Sequence, residues 1–515
     1  MKPPIPHAHI TKRLKRSLFI IISLGVIMAG LLGATVGLVN YNITQTAIRS
    51  KQIATDNLNI LLQSQQKFSL PENTSYVPTA LDQATLVNVV ARNQPSVVRI
   101  VTIYCGDITL ATTKSAVNFA DACTGRVGSG SFISSDGYIA TSGHVVSMRP
   151  VNAIVESLTA SDDIARYLNY LVTNGLISSH DATTIQTGMK NKDTDAQTML
   201  NATADLIPDT QVHAANETTQ YAVQLSDQPI KIDKSGNRLA LEYSDTVVKA
   251  KLIDQDYDQL TSDAALTSGE FTSSDVALLK SVGSYPYITL GSIDTVGVGD
   301  QLTAIGFPTA INGVDSDLTQ KVPSITQGKV TGIGEDATVN GRKIIATTVQ
   351  IGQGDSGGPA LNDLGQEVGI NSYSALDCAD LKCMGDGQVR DIADLKVLLT
   401  KNDITLKTGG VIDDWSNALT AYTKGNYADA LTLLTKVQQE YPANYLVGSL
   451  LDVAKQQVGS ATDTSTSYQA QGLVVIILVV LGIAILAVAV VLTVLIVIFT
   501  HKYHREMRRI EKGLQ

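Results

Sequence analysis

The sequence predicts a mainly β protein: a pair of β-barrels interrupted by a helical insertion, followed by a helical segment and bracketed by two transmembrane helices. Three observations predict this. Short β-rich runs separated by Gly, Pro, Asn and Asp turns recur between Ser96 and Val349, as in barrel proteins. Residues 150–220 lack glycine-rich turns and space their apolar residues helically. Two apolar runs, Leu18 to Val39 and Gly472 to Phe499, exceed the ~20 residues a helix needs to cross a bilayer.

The chain has 515 residues, 44% hydrophobic and 17% charged, room for more than one domain. Its net charge of −9 and the absence of a basic stripe between the apolar runs argue against nucleic-acid binding. Lys12, Arg13, Lys15 and Arg16 precede the first apolar run, and Lys502, Arg505, Arg508, Arg509 and Lys512 follow the second. The positive-inside rule then places residues 1–17 and 500–515 in the cytoplasm as basic tails, with 40–471 outside a plasma membrane. The first run is read as a signal anchor over 18–39. Small residues from Ala29 to Ala34 leave signal-peptide cleavage open.

Residues 40–82 read as a stalk, and a globular region spans 83–405. Leu81 to Ala91 has helical spacing, Pro95 ends it, and Ser96 to Ile103 is a strand. Gly128 to Val146 reads as two strands around an Asp136-Gly137 turn, with His144 at the end of the second. The insertion follows, with helical spacing over Ile164–Ile177 and Ala182–Leu206. Strands return at Tyr221–Leu225, Ile230–Ile232 and Val247–Ile253. Asp275 stands before the apolar strand Val276–Lys280, with Asp263 as a substitute acid. Gln301–Gly306, Gly328–Ile333 and Lys343–Val349 complete the strands, and 388–400 reads as a closing helix.

One stretch carries chemistry: Gly354-Asp355-Ser356-Gly357-Gly358-Pro359. Glycines let the backbone turn tightly and a substrate approach. Amides of Gly354, Asp355 and Ser356 in such a turn can stabilise an oxyanion. A serine hydroxyl is a weak nucleophile until a base takes its proton, and the base must be oriented by an acid. Of the histidines outside the membrane only His144 stands in β context beside a glycine-rich strand pair, and Asp275 at a strand mouth suits the acid.

These motifs, in order G-S-G-S-F-I-S-S-D-G-Y-I-A-T-S-G-H-V-V, S-D-V-A-L-L-K and G-D-S-G-G-P-A-L, resemble the trypsin-like serine peptidases, and among them the bacterial HtrA/DegP-type branch. The resemblance covers roughly residues 83–400 without the insertion. It implies two six-stranded barrels of the chymotrypsin fold and a serine-type endopeptidase. It implies His144 as general base, Asp275 as its orienter and Ser356 as nucleophile, with no cofactor or metal. Gln350, Gly369, Ile370 and Asn371 would border the substrate pocket; none is charged, which suits small or apolar residues at the cleavage position. Protein or peptide substrates, and a homo-oligomer, follow from the same resemblance. HtrA-type loops usually carry asparagine where Asp355 stands, so this buried carboxylate needs a partner. Arg126-Val127-Gly128 resembles a zymogen cleavage site but falls inside the strand leading to His144, so a side-chain or backbone partner is expected for Asp355. The helical insertion, if it covers the cleft, supports a different reading: a surface binding or scaffold protein on a peptidase fold.

No PDZ-like domain follows. Trp415, Tyr422, Gly425, Tyr427, Ala430, Tyr441 and Pro442 have the spacing of one tetratricopeptide repeat over 411–458, a docking surface for a protein partner. A plain helical hairpin packed on the barrels is the alternative. Residues 459–471 read as a linker and 472–499 as the second transmembrane helix. Cys105, Cys123, Cys378 and Cys383 allow three pairings, and nearness favours Cys105–Cys123 and Cys378–Cys383.

Overall fold

A computed structural model describes residues 89–235, 238–258, 273–308, 322–336, 342–374, 385–460 and 462–512. The anchor over 18–39, the stalk, Asp263, Cys378 and Cys383 lie outside the described residues.

The chain enters the first barrel through β1 (Val97–Ala111) and β2 (Ala116–Phe132), a long antiparallel hairpin. β3 (Tyr138–Thr141) follows the predicted Asp136-Gly137 turn. That turn is held by the Ser134 hydroxyl, which accepts from the Tyr138 amide at 3.0 Å. His144 is not on the strand: it sits in the single helical turn α1 (Gly143–Val146) just after it. The insertion comprises α2 (Pro150–Ser157), α3 (Ser161–Thr173), α4 (Ser179–Lys190) and α5 (Thr194–Ala202). The run expected as one helix from Ala182 to Leu206 is broken because Lys192 takes φ 56° and the Asp193 side chain caps α5 by accepting from the Asp195 amide.

The insertion also ends earlier than 220. β4 (Val212–Gln224) begins at Val212 and pairs with β1 from Arg99 to Leu110, Leu110 opposite Val212. Most of its first half is exposed, so no apolar alternation marks it in the sequence. A small hairpin, β5 (Ile232–Ser235) and β6 (Arg238–Leu241), replaces the strand expected at 230–232. β7 (Val247–Asp256) and β8 (Val276–Ser281) close the barrel in the order β1-β2-β3-β8-β7-β4.

The second barrel runs β10-β11-β14-β13-β12-β9. Its strands are β9 (Gln301–Gly306), β10 (Ser324–Asp336), β11 (Arg342–Ile351), β12 (Pro359–Leu361), β13 (Glu367–Ser374) and β14 (Gly385–Asp391). The predicted closing helix is α6 (Ile392–Lys401) and starts after β14, where Asp391 accepts from the Ala393 amide at 2.9 Å. Leu395 and Leu398 pack with Ile133 and Leu278 of the first barrel and Ile370 of the second, which ties the barrels together.

The insertion's apolar face is spent on the far part of the β1–β2 hairpin. Tyr167, Leu168 and Leu171 pack with Ile108, Leu110 and Phe119. Cys105 and Cys123 face each other across this hairpin and are disulfide-bonded.

Two compact units divide the chain, with Ala421–Ala430 and Val453–Gln515 in one and the barrels, Leu431–Asp452 included, in the other. The boundary cuts α7 (Val411–Thr423) and α8 (Tyr427–Glu440), while α9 (Leu446–Gln457) lies mostly in the barrel unit. In the barrel unit the buried Trp415 indole donates to the Ala91 carbonyl at 2.9 Å, and the Tyr441 ring meets the Tyr285 ring edge-on. In the other unit Tyr422 and Tyr427 pack edge-on. α10 (Thr464–Lys512) starts inside the expected linker because Asp463 caps it, accepting from the Ser465 amide at 3.0 Å. Among the described residues, Ile477–Lys512 is the one helix long and apolar enough to cross a membrane.

Candidate active site

Three loops from two barrels meet at one place. α1 brings His144 from the first barrel. The chain entering β8 brings Asp275. The turn between β11 and β12 brings Ser356 from the second barrel.

His144 and Asp275 form a tight pair. Imidazole Nδ1 lies 2.9 Å from Asp275 Oδ2, and the His144 amide donates to Oδ1 at 2.9 Å. The Ser372 hydroxyl donates to Oδ2 at 2.6 Å. Asp275 is buried, whereas a quarter of the His144 side chain is exposed. Burial works to raise the Asp275 carboxyl, but His144 and the Ser372 hydroxyl outweigh it and hold it below the usual range. The residue takes φ 55°, a left-handed backbone that costs a non-glycine residue about 1–3 kcal/mol and persists only where its surroundings fix it.

The turn carrying Ser356 is built on Ser129 of β2. The Ser129 amide donates to the Ser356 carbonyl at 2.8 Å, and its hydroxyl donates to the Gly354 carbonyl at 2.7 Å. The same hydroxyl accepts from the Phe307 amide at 2.8 Å. Gly357 explains the double glycine. At φ 87° a Cβ there would stand 2.2 Å from the Ser129 carbonyl and 2.3 Å from the Thr141 hydroxyl. The Ser356 hydroxyl donates to the Ser372 carbonyl at 2.8 Å.

The expected oxyanion donors separate. The Asp355 amide is spent on the Gly352 carbonyl at 3.1 Å, so it is not free to face a ligand. The Gly354 and Ser356 amides carry no hydrogen bond among the described residues and are the pair left to do so.

Asp355 has the backbone partner expected of it: the Gly352 amide donates to Oδ2 at 2.9 Å. Its Oδ1 is buried without a hydrogen bond, against Gly306. Burial, only partly offset by Gly352, pushes its carboxyl up to about 7. Arg126 lies within β2 opposite Thr102 and pairs with Glu156 at 2.7 Å.

A raised carboxyl has a sign. Asp355 stays protonated in the fold while the unfolded chain ionises near 3.8, so its contribution is full below that pH and is lost as pH rises through about 7. Replacing Asp355 by Asn removes the ionisation. The expected result is that the variant gains stability on the wild type between pH 5 and pH 8, by the order of 2–3 kcal/mol. Denaturant melts at the two pH values measure this, and parallel pH curves for the two proteins would refute it.

The pocket residues are partly as expected. Asn371 borders the nucleophile turn: the Gly357 amide donates to its carbonyl at 2.7 Å. Gly369 packs against the Arg390 carbonyl, where a Cβ would stand at 2.3 Å. Gln350, half-buried on β11, accepts from the Thr326 hydroxyl through its carbonyl. The Ile370 side chain is in the core with Ile133 and Leu278 and so does not line a cleft. Ser372, the end of the Gly369-Ile370-Asn371-Ser372 run expected to border the pocket, holds Asp275 through its hydroxyl. Ser129 and Ser142, whose hydroxyl donates to the Asn371 carbonyl, were missed by sequence reasoning. Among the described residues no group of His, Cys, Asp and Glu could hold a metal ion.

The two closed six-stranded barrels fit the chymotrypsin fold, and residues 128–370 match the family model of the trypsin-like peptidase domain. This chain therefore carries a trypsin-like peptidase domain, with its likeness to the HtrA/DegP type. A probable periplasmic serine endoprotease DegP-like of Pseudomonas fluorescens is 32% identical over 35% of this chain and 34% of its own length. One of Ectopseudomonas mendocina is 41% identical over 19% of each chain. The chain thus spans about a fifth to a third of the length of these curated relatives. An HtrA-type protease AlgW with decapeptide aligns at a TM-score of 0.32 and 16% identity, over 61% of this chain and 66% of that one, too low a likeness to carry an argument.

Proposed function

We propose that this chain is a membrane-anchored serine endopeptidase that hydrolyses peptide bonds of proteins outside the cytoplasm. The observation that carries the reading is the buried Asp275 bound to Nδ1 of a partly exposed His144 beside the Ser356 turn. Bound through Nδ1, the imidazole presents Nε2 as the base. Ser356 gives its proton to Nε2 and attacks the peptide carbonyl. The Gly354 and Ser356 amides receive the oxyanion. The C–N bond breaks as His144 returns the proton to the leaving amine, and water hydrolyses the acyl-enzyme by the same route. The periplasmic designation of the relatives, the apolar part of helix α10 and the basic residues at its C-terminal end support anchoring with the peptidase outside the cytoplasm. The repeat-like spacing over 411–458 supports a protein partner docking there.

One observation favours a second reading. A hydroxyl has one hydrogen, and that of Ser356 is donated to the Ser372 carbonyl, so it is not shared with the imidazole in this state. A serine fixed there would make the chain a surface binding or scaffold protein. The test is a fluorophosphonate probe on the full-length chain in mild detergent, with the adduct mapped by mass spectrometry. Labelling at Ser356 establishes the peptidase reading. No labelling of folded protein moves the scaffold reading ahead.

A further inference from the structure

The left-handed backbone of Asp275 needs something to fix it, and the residues on either side of it show what does. β7 and β8 pair as far as Asp256 opposite Val276. There the ladder ends, and the Ser274 amide has no strand partner to donate to. The Asp256 side chain takes its place. Its Oδ2 accepts from the Ser274 hydroxyl at 2.5 Å and from the Ser274 amide at 3.2 Å. The same oxygen is bound by Arg342 Nη1, at the start of β11 in the second barrel. One carboxylate oxygen thus joins the residue before Asp275 to the barrel that carries Ser356. Burial works against the Asp256 charge, but the Ser274 and Arg342 hydrogen bonds outweigh it and hold its carboxyl below the usual range.

We propose that Asp256 is a positioning residue for Asp275: it clamps Ser274, holds the strained backbone that follows, and registers the acid of one barrel against the nucleophile of the other. This rests on the peptidase reading above. The clamp is not a large element of the fold. The Asp256 and Arg342 side chains are 36% and 32% exposed, a range in which an ion pair contributes little to stability. They line a cavity of about 270 Å³ with Gln255, Asp394 and Leu398 beneath α6. Asp394, raised to about 6 by burial, and Lys401 are the other titratable groups that line it.

The test measures the rate of fluorophosphonate labelling of the full-length chain from pH 5 to pH 9, for wild type, Asp256→Ala, Asp256→Asn and Ser274→Ala. A displaced Asp275 stabilises the imidazolium less. Asp256→Ala is therefore expected to label about ten- to a hundredfold more slowly, with the acid midpoint moved to lower pH. Asp256→Asn keeps an oxygen for Ser274 and is expected to recover most of the rate. A loss of folded protein would lower the labelled fraction and leave the midpoint in place. Asp256→Ala with wild-type rate and midpoint overturns the proposal. If Asp256→Ala does not fold, Ser274→Ala decides: a slower rate with a lower midpoint supports the clamp, and wild-type kinetics overturn it. A wild-type chain that does not label overturns the peptidase reading first, an outcome distinct from failure of the clamp.

Discussion

Replacing Ser356 by alanine is expected to lower turnover of a peptide substrate by about five to six orders of magnitude. In the proposed mechanism the hydroxyl forms the acyl bond, and the nearest alternatives cannot take its place. Ser372 is buried with its hydroxyl committed to Asp275, and the Ser129 hydroxyl is buried between the Gly354 carbonyl and the Phe307 amide. Since the oxyanion amides and the binding surface survive the change, a residue of activity over water should remain. Stability should change little. The hydroxyl makes one hydrogen bond, to the Ser372 carbonyl, worth about 1 kcal/mol. The assay is kcat on a fluorogenic peptide with a melt of the same preparation. Full activity in the folded variant would remove Ser356 from the mechanism.

The second large effect falls on the acid. Asp275→Asn should lower kcat by about 10⁴ while the chain stays folded. Asp275 accepts from three donors: the His144 amide, imidazole Nδ1 and the Ser372 hydroxyl. An asparagine has one acceptor oxygen. With that oxygen on the His144 amide, its NH₂ faces Nδ1, which must then accept. The imidazole proton moves to Nε2, and the nitrogen facing the serine is no longer a base. The same residue sets a stability term. Its carboxyl is held below the usual range, so its contribution is present above the unfolded value near 3.8 and is lost as pH falls through the lower folded value. The Asn variant should therefore be less stable than wild type at pH 7 and approach it in acid. Steady-state kcat at pH 7, with melts at pH 7 and pH 3, tests both parts. A variant with wild-type kcat would return the acid's role to another residue.

The sequence by itself pointed to a trypsin-like peptidase and to most of the strands, because both signals are written locally. A nucleophile between glycines needs only a few adjacent residues to be recognised. The Asp136-Gly137 turn and the apolar runs of β1, β8 and β9 declare themselves by period and turn residues. The exposed half of β4 was illegible for the opposite reason: its strand character comes from pairing with β1, and its side chains face water. His144 was found, but its place in a helical turn was not, since Gly143-His144-Val145-Val146 has strand composition.

What only the tertiary structure decided are contacts between residues far apart in the chain. The Ser129 cradle under Gly354, the Ser372 hydroxyl on Asp275 and the Arg342–Asp256 clamp each join distant segments. Their residues are ordinary serines, arginines and aspartates in sequence. Each acquires its role only when barrel closure brings a donor and an acceptor to hydrogen-bond distance in a place where water cannot substitute for either.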